Sequence, residues 1–350
     1  MIPENLTTRP EFARENGFLL QVRDLCKYYP LKGGFFEKAK GVVKAVDGIS
    51  FEICKGQTLG LVGESGCGKT TTGRMILRVI EPTRGQILIN VDEKANVNLT
   101  ALSPKAMRLL RRKIQMIFQD PNASLDPRMT VMQIIGEPLR AGKRIPKNYY
   151  KEKIAETIRL VGLRTEFMNR YPHAFSGGQR QRIGIARALV TEPALIVADE
   201  PVSALDVSVQ AQILNLLKDL QVQLQLTYLF IAHDLSVIRY ICDRIAVMYV
   251  GKLVEVADRS ALFSLPKHPY TETLMSAIPQ PDPRRKTKHV QIKGSVADAS
   301  NPPSGCYFHP RCQYKQEICQ REAPRLRESE RGHFVACHFD LDLKGIAQRA

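Results

Sequence analysis

The chain has 350 residues, 44% hydrophobic and 25% charged, enough for one large α/β domain with a smaller appendage. No apolar run approaches the roughly 18 residues a membrane helix needs, and Met1-Ile2-Pro3-Glu4-Asn5 lacks the basic-then-apolar pattern of a secretory signal, so a cytoplasmic protein is expected. A formal net charge of +16 asks for anionic partners, yet the runs Arg111-Arg112-Lys113 and Arg284-Arg285-Lys286 are short, which weighs against nucleic acid and leaves nucleotide or anionic lipid.

In chain order, residues 18–29 alternate apolar and polar and predict an edge strand ending at Tyr28-Tyr29-Pro30. A Gly/Lys/Phe-rich stretch from Leu31 to Lys44 reads as an insertion before a second strand, Val46 to Ile53. After the turn Lys55-Gly56-Gln57, the continuous apolar strand Thr58 to Val62 leads into Gly63-Glu64-Ser65-Gly66-Cys67-Gly68-Lys69-Thr70. This is the Gly-x4-Gly-Lys-[Ser/Thr] phosphate loop in its required strand–loop–helix setting. Its glycines let backbone N–H groups turn onto phosphate oxygens, and the following helix offers its positive end. Lys69 is expected at the β- and γ-phosphates, the Thr70 hydroxyl on Mg²⁺, and Thr71 beside them in the first helical turn. Cys67 fills an unspecified position of the motif and is given no catalytic role.

Residues from about 101 to 190 become rich in Leu, Arg, Lys, Glu and Gln at helical spacing. Ile154, Ile158 and Val161 stand at i, i+4 and i+7, marking an amphipathic helix in a subdomain inserted into the α/β core. Within it, Ser176-Gly177-Gly178-Gln179 combines a hydroxyl and glycine amides ahead of a helix read as Gln181–Val190, a second anion-binding turn. Two further buried strands follow, Leu195–Ala198 and Tyr228–Ala232, with a helix around Ala211–Leu220 between them, which predicts a mainly parallel sheet. The first ends at Asp199-Glu200, on the carboxyl edge where such sheets bind ligands. Asp199 fits a Mg²⁺ holder acting through water, and Glu200 a general base on an attacking water. From about Leu265, prolines at 266, 269, 279, 281, 283, 302, 303 and 310 mark a linker and a small irregular module.

The order of these motifs over residues 18–265 resembles the ATP-binding-cassette (ABC) family. The resemblance implies a P-loop NTPase core with a mainly parallel sheet, an antiparallel β edge region and an inserted helical subdomain, spanning 1–265. It makes Ser176-Gly177-Gly178-Gln179 the ABC signature, which in a head-to-tail dimer touches the γ-phosphate held by the opposite subunit. By the same carry-over, Gln119 is the Q-loop glutamine that senses Mg²⁺ and water. Ala204-Leu205-Asp206 is the D-loop, and His233 is the switch histidine on the γ-phosphate. Tyr29, or in second place Tyr28, stacks on adenine. ATP and Mg²⁺ are the implied cofactors, and the intact motif set implies an active ATPase.

Two segments narrow the branch. Gln119 to Arg128, reading QDPNASLDPR, and the tail elements His268-Pro269-Tyr270-Thr271 and Asn301-Pro302-Pro303-Ser304-Gly305-Cys306 resemble the oligopeptide, dipeptide and nickel importer ATPases, most of all their F-type subunit. Residues 266–350 would then form the branch's C-terminal module. The implied partners are two transmembrane permease subunits, a sister ABC ATPase and an extracytoplasmic solute-binding protein, with the chain peripheral on the cytoplasmic membrane face. A nucleic-acid- or ribosome-associated ABC ATPase is the competing class, but the chain has one cassette and no heptads. Four of the eight cysteines, Cys306, Cys312, Cys319 and Cys337, crowd the last 45 residues with gaps of five, six and seventeen. In a cytoplasmic chain disulfides are disfavoured. The spacing fits neither the paired zinc pattern nor the ferredoxin run. Structural Zn²⁺ and free thiols stay open, and the resemblance favours a 4Fe–4S cluster, with His309, His333 and His338 as substitute ligands.

Overall fold

The structure, a computed structural model, describes residues 17–31, 41–91, 96–140, 146–278 and 294–341. Most of the insertion expected at 31–44, the prolines 279, 281 and 283, and Arg284-Arg285-Lys286 lie outside the described residues. Among the described residues, no helix is long and apolar enough to cross a membrane.

The strands are β1 (Phe18–Pro30), β2 (Val42–Cys54), β3 (Thr58–Val62), β4 (Arg84–Ile89), β5 (Val97–Asn98) and β6 (Ile114–Ile117). They continue with β7 (Leu195–Asp199), β8 (Thr227–Ala232), β9 (Arg244–Tyr249), β10 (Lys252–Asp258), β11 (Arg327–Glu330) and β12 (His333–Val335). Four of them form an antiparallel sheet in the order β2-β1-β4-β5, and eight form the main sheet in the order β11-β12-β10-β9-β3-β8-β7-β6. From β9 to β6 the main sheet is parallel, and from β9 outward to β11 it is antiparallel.

The central strands are apolar at consecutive positions because both faces are covered. Alternation sends Leu59, Leu61, Val197 and Ile231 to one core, with the antiparallel sheet and Met75 and Ile76 of the helix Lys69–Ile76. Val62, Ile196, Phe230 and Val247 go to the other, under the helices Gly177–Leu189, Val207–Leu224 and Leu235–Ile241. The predicted amphipathic helix runs Lys147–Leu160, and Ile154, Ile158 and its C-cap Val161 are fully buried with Ile134 and Ile135 of the helix Val131–Arg140.

The tail is not a separate island. Strand β12 pairs antiparallel with β10, and Phe308 is buried against Tyr249 and Tyr270, ring centroids 5.3 and 5.5 Å away. Fully buried Glu255 on β10 ties the two together. It accepts the backbone N–H groups of Lys267 and His268 at 2.8 and 2.9 Å, and its other contact is His333 Nε2 at 2.7 Å. A buried carboxylate satisfied three times over is held in place rather than merely tolerated.

Candidate functional site

Strand order alone gathers the motif residues. The phosphate loop follows β3, His233 follows β8, Asp199 ends β7 with Glu200 just beyond it, and Gln119 follows β6, all at carboxyl ends of adjacent parallel strands. Neighbouring strands lie about 4.8 Å apart, so four loops remote in sequence open on one crevice.

The loop's shape demands two of its glycines. Gly63 has φ +153°, and a methyl group there would sit 2.1 Å from the Met248 carbonyl oxygen. Gly68 has φ +109° and would meet the Ala45 oxygen at 2.2 Å. Both need a residue without Cβ. Buried Lys69 folds back, its Nζ donating to the carbonyls of Gly63 (2.7 Å) and Glu64 (2.9 Å). Thr70 donates its hydroxyl to Asp199 Oδ1 at 2.9 Å, and Thr71 follows half-buried in the same helix. Burial holds the Asp199 carboxyl above its ordinary range, and the neighbouring Glu200 charge adds to this while the Thr70 hydrogen bond opposes it.

Glu200 is the meeting point of the other side. Gln119 Nε2 donates to its Oε2 at 3.0 Å, and His233 Nδ1 lies 3.1 Å from the same oxygen. Its backbone is left-handed at φ +46°, pinned by an N–H donated to the Ile231 carbonyl at 2.9 Å. A non-glycine residue held there stores on the order of 1 kcal/mol or more. That bend is what takes the carboxylate off the strand's alternation.

The two candidate tyrosines separate. Tyr28 donates its hydroxyl to Asp47 Oδ1 at 2.5 Å, whereas Tyr29 is exposed, with Lys27 Nζ 5.0 Å from its ring centroid. The signature turn begins its helix earlier than Gln181. Ser176 is the N-cap of Gly177–Leu189, in a capping box completed by Gln179. Ser176 and Gly177 are exposed, while a methyl group on Gly178 would press to 2.5 Å from Val209 Cγ1. Asp206 is the exposed N-cap of Val207–Leu224 but makes no side-chain cap bond, so its carboxylate is not spent on its own helix.

Comparison with known proteins agrees with this geometry. Residues 46–203 match the ABC transporter family, and residues 254–319 match the oligopeptide/dipeptide transporter C-terminal region. The oligopeptide transport ATP-binding protein AppF of Bacillus subtilis (strain 168) is 50% identical over 323 residues, 92% of this chain and 97% of that one. The chain belongs to the ABC transporter ATP-binding family, in its oligopeptide/dipeptide branch. Among solved structures, the dimeric post-hydrolysis state of the ATP-binding cassette MJ0796 with ADP and Pi has a TM-score of 0.59 at 27% identity, covering 69% of this chain and 99% of that one. The structure of cbiO1 from Clostridium perfringens, part of the ABC transporter complex cbiONQ, gives 0.58 at 25%, covering 70% and 90%. This ABC protein is therefore an ATPase with the expected cassette fold.

The cysteine tail corrects the sequence reading. Cys306, Cys312, Cys319 and Cys337 line one small cavity, but among the described residues no group of three or more His, Cys, Asp or Glu is arranged to hold a metal ion. The expected 4Fe–4S cluster, and Zn²⁺ in its place, are not supported. Burial pushes the Cys306 and Cys312 thiols up to about 11 and raises Cys337. Each candidate histidine has one ring nitrogen partnered, and His309 and His338 line the cavity with the cysteines. His333 pairs with Glu255, His309 Nδ1 lies 2.9 Å from the Cys306 carbonyl, and His338 Nε2 lies 2.9 Å from the Glu322 carbonyl.

Sequence reasoning missed what supports the loop from behind. Arg311 sends two N–H groups to the two carboxylate oxygens of Glu64, at 2.9 and 3.0 Å. The Tyr270 hydroxyl accepts the Glu64 backbone N–H at 2.8 Å, and the Cys67 carbonyl accepts Gly251 N–H at 2.9 Å. Arg311 and Glu64 are 247 positions apart, and no short-range pattern announces such a pair.

Proposed function

We propose that this chain is the motor of a peptide importer: two cassettes close on ATP, hydrolyse it across their interface, and drive a membrane pore between its states. The convergence of Gln119 and His233 on one oxygen of Glu200 carries the reading. A carboxylate at the strand end, held between an amide and an imidazole, is positioned to orient and deprotonate a water at the γ-phosphate. The phosphate loop from Gly63 to Thr71 binds the triphosphate, Lys69 neutralises its terminal charge, and Tyr29 stacks on the base. Thr70 and Asp199, already joined, are the residues that would hold Mg²⁺, with Gln119 at its edge. The ion would draw charge from the β- and γ-oxygens when bound.

The exposed Ser176-Gly177 turn with Gly178 and Gln179, and the unspent Asp206 carboxylate, supply the surface that a second cassette would use. A sister ATPase, two permease subunits and an extracytoplasmic binding protein complete the assembly, with this chain peripheral on the cytoplasmic face. Peptide is the cargo favoured by the likeness to the oligopeptide transport protein AppF. We divide the chain into a cassette at 1–265 and a C-terminal module at 266–350. Within the cassette we assign about 101–190 to the helical subdomain, and the pairing of β6 with β7 ties its N-terminal part to the main sheet.

Glu200→Gln tests the assignment. The variant should bind ATP, hydrolyse it at least about tenfold more slowly, and accumulate closed dimers. Unchanged turnover would remove Glu200 from the general-base role.

A further inference from the structure

We infer that Arg311 and Tyr270, both from the C-terminal segment, are positioning residues that hold the phosphate loop in its nucleotide-binding shape through Glu64. The inference rests on the assignment of residues 63–70 as the phosphate loop and extends control of that loop to the tail.

Two independent contacts converge on one loop residue. Tyr270 accepts the Glu64 backbone N–H at 2.8 Å, and Arg311 grips the Glu64 carboxylate with two bonds of 2.9 and 3.0 Å. Both anchors are immobilised. Tyr270 is fully buried against Tyr249 at 4.7 Å between ring centroids. The Arg311 side chain is 6% exposed, and its guanidinium carbon lies 5.8 and 5.9 Å from the ring centroids of Tyr249 and Phe308. A two-pronged, part-buried pair, with Glu64 26% exposed, is held more firmly than a fully exposed ion pair, which contributes little. Arg311 Nε is buried with no hydrogen-bond partner among the described residues and Nη1 reaches the Tyr249 hydroxyl only at 3.4 Å, so the Glu64 carboxylate supplies the guanidinium's charge compensation.

Glu64 is also where the phosphate-binding lysine is registered. Lys69 Nζ takes one of its two carbonyl partners from Gly63 and the other from Glu64. Releasing Glu64 from the tail therefore frees the backbone oxygen against which the ammonium is set. Nucleotide affinity should then depend on the docking of a segment that touches no nucleotide, and anything that lifts the tail would loosen the loop.

The test uses the full-length chain, with titration by a fluorescent ATP analogue, steady-state ATPase assays and thermal unfolding to establish that each variant is folded. Arg311→Ala should raise the analogue's Kd and the KM for ATP about tenfold while kcat stays within about twofold, the loss expected for one charged hydrogen-bonded pair. Arg311→Lys, which keeps the charge but not the fork, should recover part of that affinity. If Arg311→Ala does not fold, Glu64→Gln reads the same contact from the loop side and should also weaken nucleotide binding. Folded Arg311→Ala with unchanged Kd and KM, or a loss of kcat at unchanged KM, would overturn the inference. Lys69→Ala separates it from the underlying reading. Lost binding in Lys69→Ala beside unchanged Arg311→Ala sinks the positioning role alone. Full binding in Lys69→Ala removes the loop assignment and the inference with it.

Discussion

Thr70 and Asp199 stand 129 positions apart in the chain and share a hydrogen bond of 2.9 Å. One sits on the first helical turn after the phosphate loop and the other at the end of β7. Strand β8, between β3 and β7, sets the span that their side chains close. A hydroxyl oxygen and a buried carboxylate facing each other at a strand edge form a hard-oxygen pair of the type Mg²⁺ prefers.

Asp199→Asn should raise the Mg²⁺ concentration that gives half-maximal ATPase activity about tenfold or more, the cost of losing a carboxylate that orients a hydrated ion. Thr70→Ser, which keeps the oxygen, should stay near the parent. A Mg²⁺ titration of the two variants checks both, and equal shifts would argue against the pair as the ion's holder.

The glycines of the loop should fail in a fixed order. Gly66 has φ +79° but open space around an added methyl group, so Gly66→Ala should cost roughly 1–2 kcal/mol of backbone strain. Gly68→Ala adds a 2.2 Å collision with the Ala45 carbonyl to its strain. It should cost at least about 3 kcal/mol and abolish nucleotide binding. Urea-unfolding midpoints measure the order, and the reverse order would contradict the loop geometry.

His268 gives the tail a pH dependence. Burial lowers it from 6.5 to about 4, so the folded state keeps it neutral where the unfolded chain would protonate it. The stability it contributes is complete above pH 6.5 and is lost as pH falls from there toward 4, by on the order of 3 kcal/mol. His268→Asn retains an acceptor for the Tyr270 N–H at the helix start and should flatten this part of the profile. Denaturant midpoints for both proteins at pH 7, 5 and 4 check the sign; parallel profiles would exclude His268 as the source.

Much of the site was legible because it sits on local patterns. An apolar strand running into Gly63–Thr70, and another ending at Asp199-Glu200, each place their residues without tertiary knowledge. The signature helix starts four residues before the expected Gln181, since glycines at 177 and 178 look like a loop until the Ser176–Gln179 capping box is counted as a start. The docking of Arg311 and Tyr270 onto Glu64 had no such signal, because packing alone creates a contact across hundreds of residues. The cysteine tail misleads for a related reason: folding brings four thiols to one cavity, yet among the described residues no group of three or more His, Cys, Asp or Glu is arranged to hold a metal ion.

The central claim is that the Ser176 turn of one cassette completes the triphosphate pocket of its neighbour. The most direct measurement is a structure of the assembled transporter carrying Glu200→Gln and trapped with ATP, read for the contact made by Ser176 Oγ. The account predicts a hydrogen bond of about 3 Å from that hydroxyl to the γ-phosphate bound by the opposing cassette. ATP enclosed by residues 63–71, 119, 199–200 and 233 of one chain, with Ser176 facing solvent, would contradict it.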